Sequence, residues 1–176
     1  MEIREVSEPN LGPFFDLMGE VEAGRHFDPA NPEHVAWLRK RIGRHRGNDV
    51  RFYGLYADDG TPLGIIGMLI EDYINIDWRL GYITDLGVFA RHRKQGCGSR
   101  LLDFAAELAR QERCYCVYVD TYAGSSDNVA FYARNGFVPV ATLPDQNGPG
   151  DEGQVWMRKT IEYDSCPATA PLDSNR

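Results

Sequence analysis

The stretch Gly81–Leu102, GYITDLGVFARHRKQGCGSRLL, constrains the fold of this chain more than any other. Tyr82, Ile83, Leu86, Val88 and Phe89 are strand formers in a partly alternating pattern. Gly96 and Gly98 bracket Cys97, and Ser99 opens a run in which Leu101, Leu102, Ala105, Leu108 and Ala109 recur at helical spacing. A strand, a basic connection with Arg91, Arg93 and Lys94, a glycine turn and a helix thus follow in order. Such a turn aims free backbone N–H groups at one point, and the helix dipole reinforces them. The glycines admit a ligand close to the main chain and the cations suit an anion, so the pattern predicts a phosphate cradle. A Gly-x-Gly before a helix also serves as a plain tight turn, but two neighbours favour the cradle. Gly87 stands inside the strand, where glycine marks a bulge or a close backbone approach. One helix and one strand later comes NVAFYARNGF, residues 128–137.

Together these segments carry a resemblance. Arg93-Lys-Gln-Gly96-Cys-Gly98, with Val88 before it and Leu101-Leu102 after it, resembles the acyl-CoA pyrophosphate loop of the GNAT superfamily of N-acetyltransferases. Phe131-Tyr132 with Gly136-Phe137 is similar to that family's second CoA-binding element, whose tyrosine often protonates the departing thiolate. The two motifs cover roughly residues 81–142 in the family's order and spacing. Many members place an asparagine seven residues before the tyrosine, where this chain has Ser125. Asn128 stands four before it, as in a subset of the family, so either Ser125 or Asn128 is the expected contact.

The chain's 176 residues suit one domain with a single core. We expect that domain over residues 1–161 and a flexible, polar, proline-containing tail over 162–176. No apolar run reaches the ~20 residues that span a bilayer, and the charged start MEIREVSEPN lacks a signal-peptide core. The expectation is a cytoplasmic protein without membrane contact. A net charge of −7 argues against nucleic-acid binding. Arg39, Lys40, Arg41, Arg44 and Arg46 read as a solvated helix face; Arg91, Arg93, Lys94 and Arg100 have the anion to explain them. Cys97, Cys114, Cys116 and Cys166 lack zinc-site spacing, so no metal is expected. Cys97 alone invites modification, at a helix N-terminus that lowers thiol pKa.

In chain order, a first strand over residues 1–7 precedes a helix over 11–23, whose stripe is Leu11, Phe14, Phe15, Leu17, Met18 and Val21. After a Gly/Pro loop, Asn31 caps a second helix with Pro32 at its first position, Glu33 in its first turn and Val35, Leu38 and Ile42 inward. Strands over 50–57 and 62–70 flank the hairpin turn Asp58-Asp59-Gly60. Glu71–Leu80 is ambiguous and reads as the strand's end and a loop with exposed aromatics. The central strand, the helix to about Glu112, a strand over 115–121, a short helix over 127–135 with Gly136 at its C′ position, and strands over 137–142 and 154–161 complete the chain. The order β-α-α-β-β-β-α-β-α-β-β is α/β in the α+β sense and not doubly wound, since three consecutive strands precede the glycine-turn helix. A Rossmann fingerprint fails too, its third glycine falling at Leu101. The resemblance implies the GNAT fold: a mixed, mostly antiparallel sheet of about seven strands flanked by helices, with a splayed strand pair that binds acyl-CoA.

The resemblance further implies direct transfer of acetyl from acetyl-CoA to a primary amine of a small molecule or peptide. Alkyl amines are mostly protonated at neutral pH, so a carboxylate or water chain must take a proton first. Asp85 and Asp120 are the candidates, although a strand-end Asp also serves neighbouring backbone N–H groups. A backbone donor at a Gly87–Val88 bulge would stabilise the thioester oxygen, and Tyr132 would protonate the thiolate. Leu86, Gly87 and Val88 are expected beside the pantetheine arm, with Arg93, Lys94, Gln95, Gly96, Cys97, Gly98, Ser99, Asn128 and Tyr132 completing the cofactor contacts. Glu22, His26, Phe27, Asp72 and Trp78, with Glu20, Glu71, Tyr73 and Asp77 near them, form an acidic and aromatic set suited to a cationic amine. Family habit admits a homodimer through the last strands. A non-catalytic acetyl-CoA sensor of the same fold is the rival reading; it would keep Arg93, Gly96 and Gly98 but has no use for the acid Tyr132.

Overall fold

The computed structural model describes residues 1–7, 10–15, 17, 28, 30–41, 44–45, 48–72, 79–146 and 148–162. Its strands are β1 (Glu2–Val6), β2 (Arg44–His45), β3 (Asn48–Asp49), β4 (Arg51–Tyr56), β5 (Pro62–Asp72), β6 (Arg79–Val88), β7 (Cys114–Tyr122), β8 (Val138–Leu143) and β9 (Gln154–Thr160). The helices are α1 (Pro32–Arg41), α2 (Cys97–Gln111) and α3 (Ser126–Arg134). Seven strands make one sheet in the order β1-β4-β5-β6-β7-β9-β8, and β2 with β3 forms a small separate ladder that the sequence did not signal. Within the large sheet every neighbouring pair is antiparallel except β6 with β7. That parallel pair needs a crossover, and α2 supplies it.

Local signals explain the element ends. Asn31 Oδ1 accepts the Glu33 N–H at 2.9 Å, which caps α1 as Asn31-Pro32-Glu33 predicts. Gly60, at φ 83°, closes the β4–β5 hairpin while Asp59 Oδ1 holds the Thr61 N–H at 2.9 Å. Gly136 ends α3 at φ 85°, and the Phe137 N–H returns to the Tyr132 carbonyl at 3.1 Å. Of the predicted first helix, residues 12–15 and 17 are helical. Leu11, Phe14 and Leu17 are buried there with Val6, Phe52 and Ile65. The rest of that helix, Leu38 and Ile42 as inward residues, the loop aromatics of 73–78 and the tail beyond 162 fall outside the described residues.

The sheet's two faces bury different clusters. α2 covers one face, packing Leu101, Leu102, Ala105 and Ala109 against Ile66, Met68, Ile83, Val117, Val119 and Met157. The opposite face holds the Phe14 cluster and a second group, Leu69, Leu80, Tyr82 and Cys116, edged by Tyr115, Tyr118 and Trp156.

Two irregularities in β6 position the site. Pairing with β5 shifts register between Gly67 and Met68, so that Gly67 opposes Asp85 while Met68 opposes Ile83. Thr84 is therefore the extra residue of a β-bulge, and the side-chain alternation reverses across it. Before it Tyr82 faces away from α2; after it Leu86 and Val88 pack on the α2 side. Thr84 and Asp85 both lean over Gly67, where an added Cβ would stand 2.5 Å from Thr84 Oγ1 and 3.1 Å from Asp85 Oδ2. The bulge thus lies three residues before the expected Gly87–Val88 position. Gly87 pairs regularly with Ile65, so its glycine does not mark a bulge.

The second irregularity is the splay. Parallel pairing of β6 with β7 ends at Ile83↔Val119, although both strands continue. Thr84–Val88 and Asp120–Tyr122 thus face each other across a gap.

Candidate active site

On the α2 side of that gap lies a cleft of about 570 Å³. Leu86 and Val88 form one wall, the loop His92, Arg93, Lys94, Gly96, Cys97, Gly98 and Ser99 another, and Asn128, Phe131, Tyr132, Arg134 and Asn135 the third. The glycine turn is present: Lys94 and Gly96 both adopt positive φ, 58° and 81°. Gly96 stands at the N-cap of α2, so the N–H groups of the first turn open into the cleft without intrahelical partners. Arg100 N–H is the first to turn inward, donating to the Gly96 carbonyl at 3.0 Å. In a chain of net charge −7, the cleft carries His92, Arg93, Lys94 and Arg134 and no acidic residue among its described lining. The arrangement suits a polyanion that ends in an apolar arm.

The strand wall is built to extend the sheet. Phe89 N–H donates to the Leu63 carbonyl at 3.1 Å, which makes 89 and 63 a hydrogen-bonded pair of the antiparallel ladder. By alternation Gly87 and Asp85 also direct their backbone groups at β5, and Leu86 and Val88 direct theirs at the gap. The expected Gly87 donor is therefore committed to β5, and the N–H groups that face the gap are those of Leu86 and Val88. The Val88 carbonyl is already held, by Arg93 Nε at 2.9 Å.

Tyr132 is buried at the base of the cleft, edge-on to Phe131 and to Phe137 with ring centroids 5.3 and 5.7 Å away. Burial, and then the negative charges of Asp120 and Asp85, push its phenol well above the ordinary tyrosine range. The hydroxyl stays protonated at neutral pH, as a proton donor must. Those two carboxylates belong to the opposite face of the sheet, where Asp120 accepts a hydrogen bond from the Tyr82 hydroxyl. The splay joins the faces: basic cleft and phenol on one side, two carboxylates on the other.

Ten of the expected cofactor contacts line the cleft: Leu86, Val88, Arg93, Lys94, Gly96, Cys97, Gly98, Ser99, Asn128 and Tyr132. Gln95 does not; its amide turns back to the Arg91 carbonyl at 3.1 Å and braces the turn. Asn128, not Ser125, faces the cleft, Ser125 being the N-cap of α3. Asp72 is not brought to the site. It pairs with Arg79 at 2.7 Å, at the far end of the sheet from the splay. Glu22, His26, Phe27 and Trp78, with Glu20, Tyr73 and Asp77, lie outside the described residues. Phe131, named with Tyr132 in the second CoA-binding element, lines the cleft; Arg134 and Asn135 were missed, although with Asn128 and Phe131 they recur at the three- and four-residue spacing of one helix face. His92 was missed beside the cations that were read. Tyr82 was missed because its role depends on Asp120, a strand away.

A sequence model described as the acetyltransferase (GNAT) family matches residues 15–137. The chain belongs to the GNAT acetyltransferase family. Solved structures agree at the level of the fold. The chain is similar to aminoglycoside 6'-acetyltransferase type Ii, with 22% identity, a TM-score of 0.66 and coverage of 92% of this chain and 98% of that one. It is similar to the ribosomal-protein-alanine N-acetyltransferase of Brucella melitensis at 19% identity and TM-score 0.64, over 92% and 100% of the two chains. A Bacillus subtilis acetyltransferase in complex with CoA aligns at 19% identity and TM-score 0.65, over 92% and 99%. The GNAT fold accounts for the splay, the glycine-turn helix and the position of the cleft between α2, α3 and β6.

Proposed function

We propose that this GNAT chain is an N-acetyltransferase that moves an acetyl group directly from acetyl-CoA to a primary amine of a small molecule or peptide. The observation that carries the reading is the charge reversal of the cleft: a basic surface around the α2 N-terminus, with no acidic residue among its described lining, in an acidic protein. First-turn amides with Arg93, Lys94 and Arg134 suit the pyrophosphate, and the gap-facing main chain of Leu86 and Val88 suits the pantetheine amides. Acetyl-CoA would supply the activated thioester.

The chain's own groups divide the chemistry by face. The Leu86 N–H points at the gap nearest the mouth of the splay, where a fixed donor to the developing oxyanion contributes about 2.7–4 kcal/mol. A carboxylate on the opposite face, Asp120 or Asp85, takes the first proton from the alkylammonium, whose ordinary pKa is near ~10. Tyr132 gives its proton to the sulfur as the C–S bond breaks. The acceptor enters beside Tyr82, Trp156, Asp85 and Asp120, an aromatic and acidic surface that selects a cationic amine. Neighbours of this fold are named for an aminoglycoside and for a ribosomal-protein alanine, so small-molecule and peptide amines both stay in the reading. A homodimer would have an edge to use in β8, whose six residues are all exposed.

The test is to incubate the protein with acetyl-CoA and a panel of polyamines, aminoglycosides, amino acids and short peptides, and to analyse the amines by mass spectrometry. An N-acetylated member is expected. Tight acetyl-CoA binding without any acetylated product would favour the sensor instead.

A further inference from the structure

The face opposite α2 carries a contact that neither the sequence motifs nor the cleft explain. Tyr82 donates its hydroxyl hydrogen to Asp120 Oδ1. Asp120 is the first β7 residue beyond the last β6–β7 pair, Ile83↔Val119, so its carboxylate stands at the mouth of the splay. Tyr82 lies opposite Tyr118 and reaches diagonally along β7 to meet it. The ring of Tyr82 is buried, with 8% of its surface exposed, and is stacked on Trp156 with centroids 5.6 Å apart and planes at 21°. Trp156 is itself the register partner of Asp120 across β7 and β9. Asp120 is therefore fixed from two directions: its backbone by the strand that carries Trp156, its side chain by the phenol that Trp156 holds still.

We propose that Tyr82 is a positioning residue that locks the Asp120 rotamer and so makes Asp120, rather than Asp85, the carboxylate that accepts the proton of the incoming ammonium. This rests on the acetyl-transfer reading. The Tyr82 hydroxyl occupies Oδ1, and Oδ2 has no partner among the described residues, which leaves it to accept. Asp85 is placed differently: the Thr84 bulge folds it over Gly67, with its Oδ2 3.1 Å from the point a Cβ on that glycine would occupy.

The proton account closes with these groups. R–NH3⁺ gives one proton to Asp120 Oδ2; the freed nitrogen forms the C–N bond; the C–S bond breaks and sulfur takes the Tyr132 proton. The second nitrogen proton returns to the Tyr132 phenolate, and Asp120 sheds its proton to water. The net change is R–NH3⁺ plus thioester to amide, thiol and H⁺.

The test is a double-mutant cycle on amine turnover, with acetyl-CoA affinity measured in parallel by calorimetry. Tyr82→Phe keeps the ring and its stack on Trp156 but removes the hydroxyl. It is expected to lower kcat by about tenfold, part of what a general base contributes, with acetyl-CoA affinity unchanged. In an Asp120→Asn background the same change should cost less than about twofold, and in an Asp85→Asn background its full factor. A purely structural role for the hydroxyl would cost the same factor in every background, and that result overturns the proposal. So does a Tyr82→Phe protein as active as the parent. If thermal melting shows Tyr82→Phe to be unfolded, Trp156→Leu takes its place, with a smaller loss that again vanishes in Asp120→Asn. A parent protein that acetylates no amine overturns the acetyl-transfer reading, and this proposal with it; turnover with additive costs overturns this proposal alone.

Discussion

Arg93 donates from Nε to the Val88 carbonyl at 2.9 Å, tying the glycine loop to the strand that borders the splay. One side chain thereby sets the distance between the loop's amides and the gap-facing N–H of Val88. Arg93→Ala removes both this tether and a cation of the cleft. Acetyl-CoA should bind roughly tenfold more weakly, about 1.4 kcal/mol, by calorimetry. The deficit should shrink as salt is added, because part of it is charge.

Gly98 is required by packing as well as by ligand approach. A Cβ added there would stand 2.9 Å from Phe131 Cζ, so the first turn of α2 and the inner face of α3 meet through the missing side chain. Gly98→Val should push the two walls of the cleft apart. Overpacking of this kind costs about 1–3 kcal/mol, readable as a lower denaturant midpoint, with weaker acetyl-CoA binding beside it. Gly96→Ala acts through its φ of 81° instead and meets nothing within 4 Å, so it should cost less, about 1 kcal/mol.

At the far end of the sheet Glu112 accepts from Arg51 at 2.8 Å and from Arg79 at 3.0 Å, joining the C-terminus of α2 to β4 and β6. The Arg51 hydrogen bond, with the charges of Arg51 and Arg79 and against the cost of burial, holds the Glu112 carboxyl below its usual range. A depressed carboxyl contributes stability that is complete above its unfolded value, about 4.3, and is lost as pH falls through the folded value. Glu112→Gln should therefore cost about 1–2 kcal/mol at pH 7, less than a buried pair because all three side chains are partly exposed. The difference between the two proteins in urea midpoints should vanish under acid conditions.

How much of this was legible in the sequence depends on the distance over which each feature is determined. The Asn31 cap, the Asp59–Gly60 turn and the Gly136 stop are set by a few adjacent residues, and they stand where the sequence puts them. The glycine loop and Tyr132 were legible because their spacing is local to one connection and one helix. The bulge was not. Its place is fixed by Gly67 on β5, the one neighbour bare enough to let Thr84 and Asp85 lean over it, and no pattern within β6 reports that. Asp72 was read by composition as a substrate contact, yet a strand-end Asp beside an Arg across a hairpin is equally an ion pair, and register with Arg79 decides it. Tyr82 has the spacing of any core aromatic; only parallel pairing brings it to Asp120.

The most direct test of the central claim is thiol release from acetyl-CoA in the presence of the reactive amine, parent protein against Tyr132→Phe. Phe keeps the ring packed on Phe131 and Phe137, so fold and acetyl-CoA affinity should hold within about threefold. Turnover should fall by about 10²–10³-fold, the loss of a general acid. Because the phenol is held above its ordinary range, the parent should keep its rate into alkaline solution without a limb from Tyr132 below about pH 10. Equal thiol release by the two proteins would contradict the account, since no proton donor at Tyr132 would then be needed.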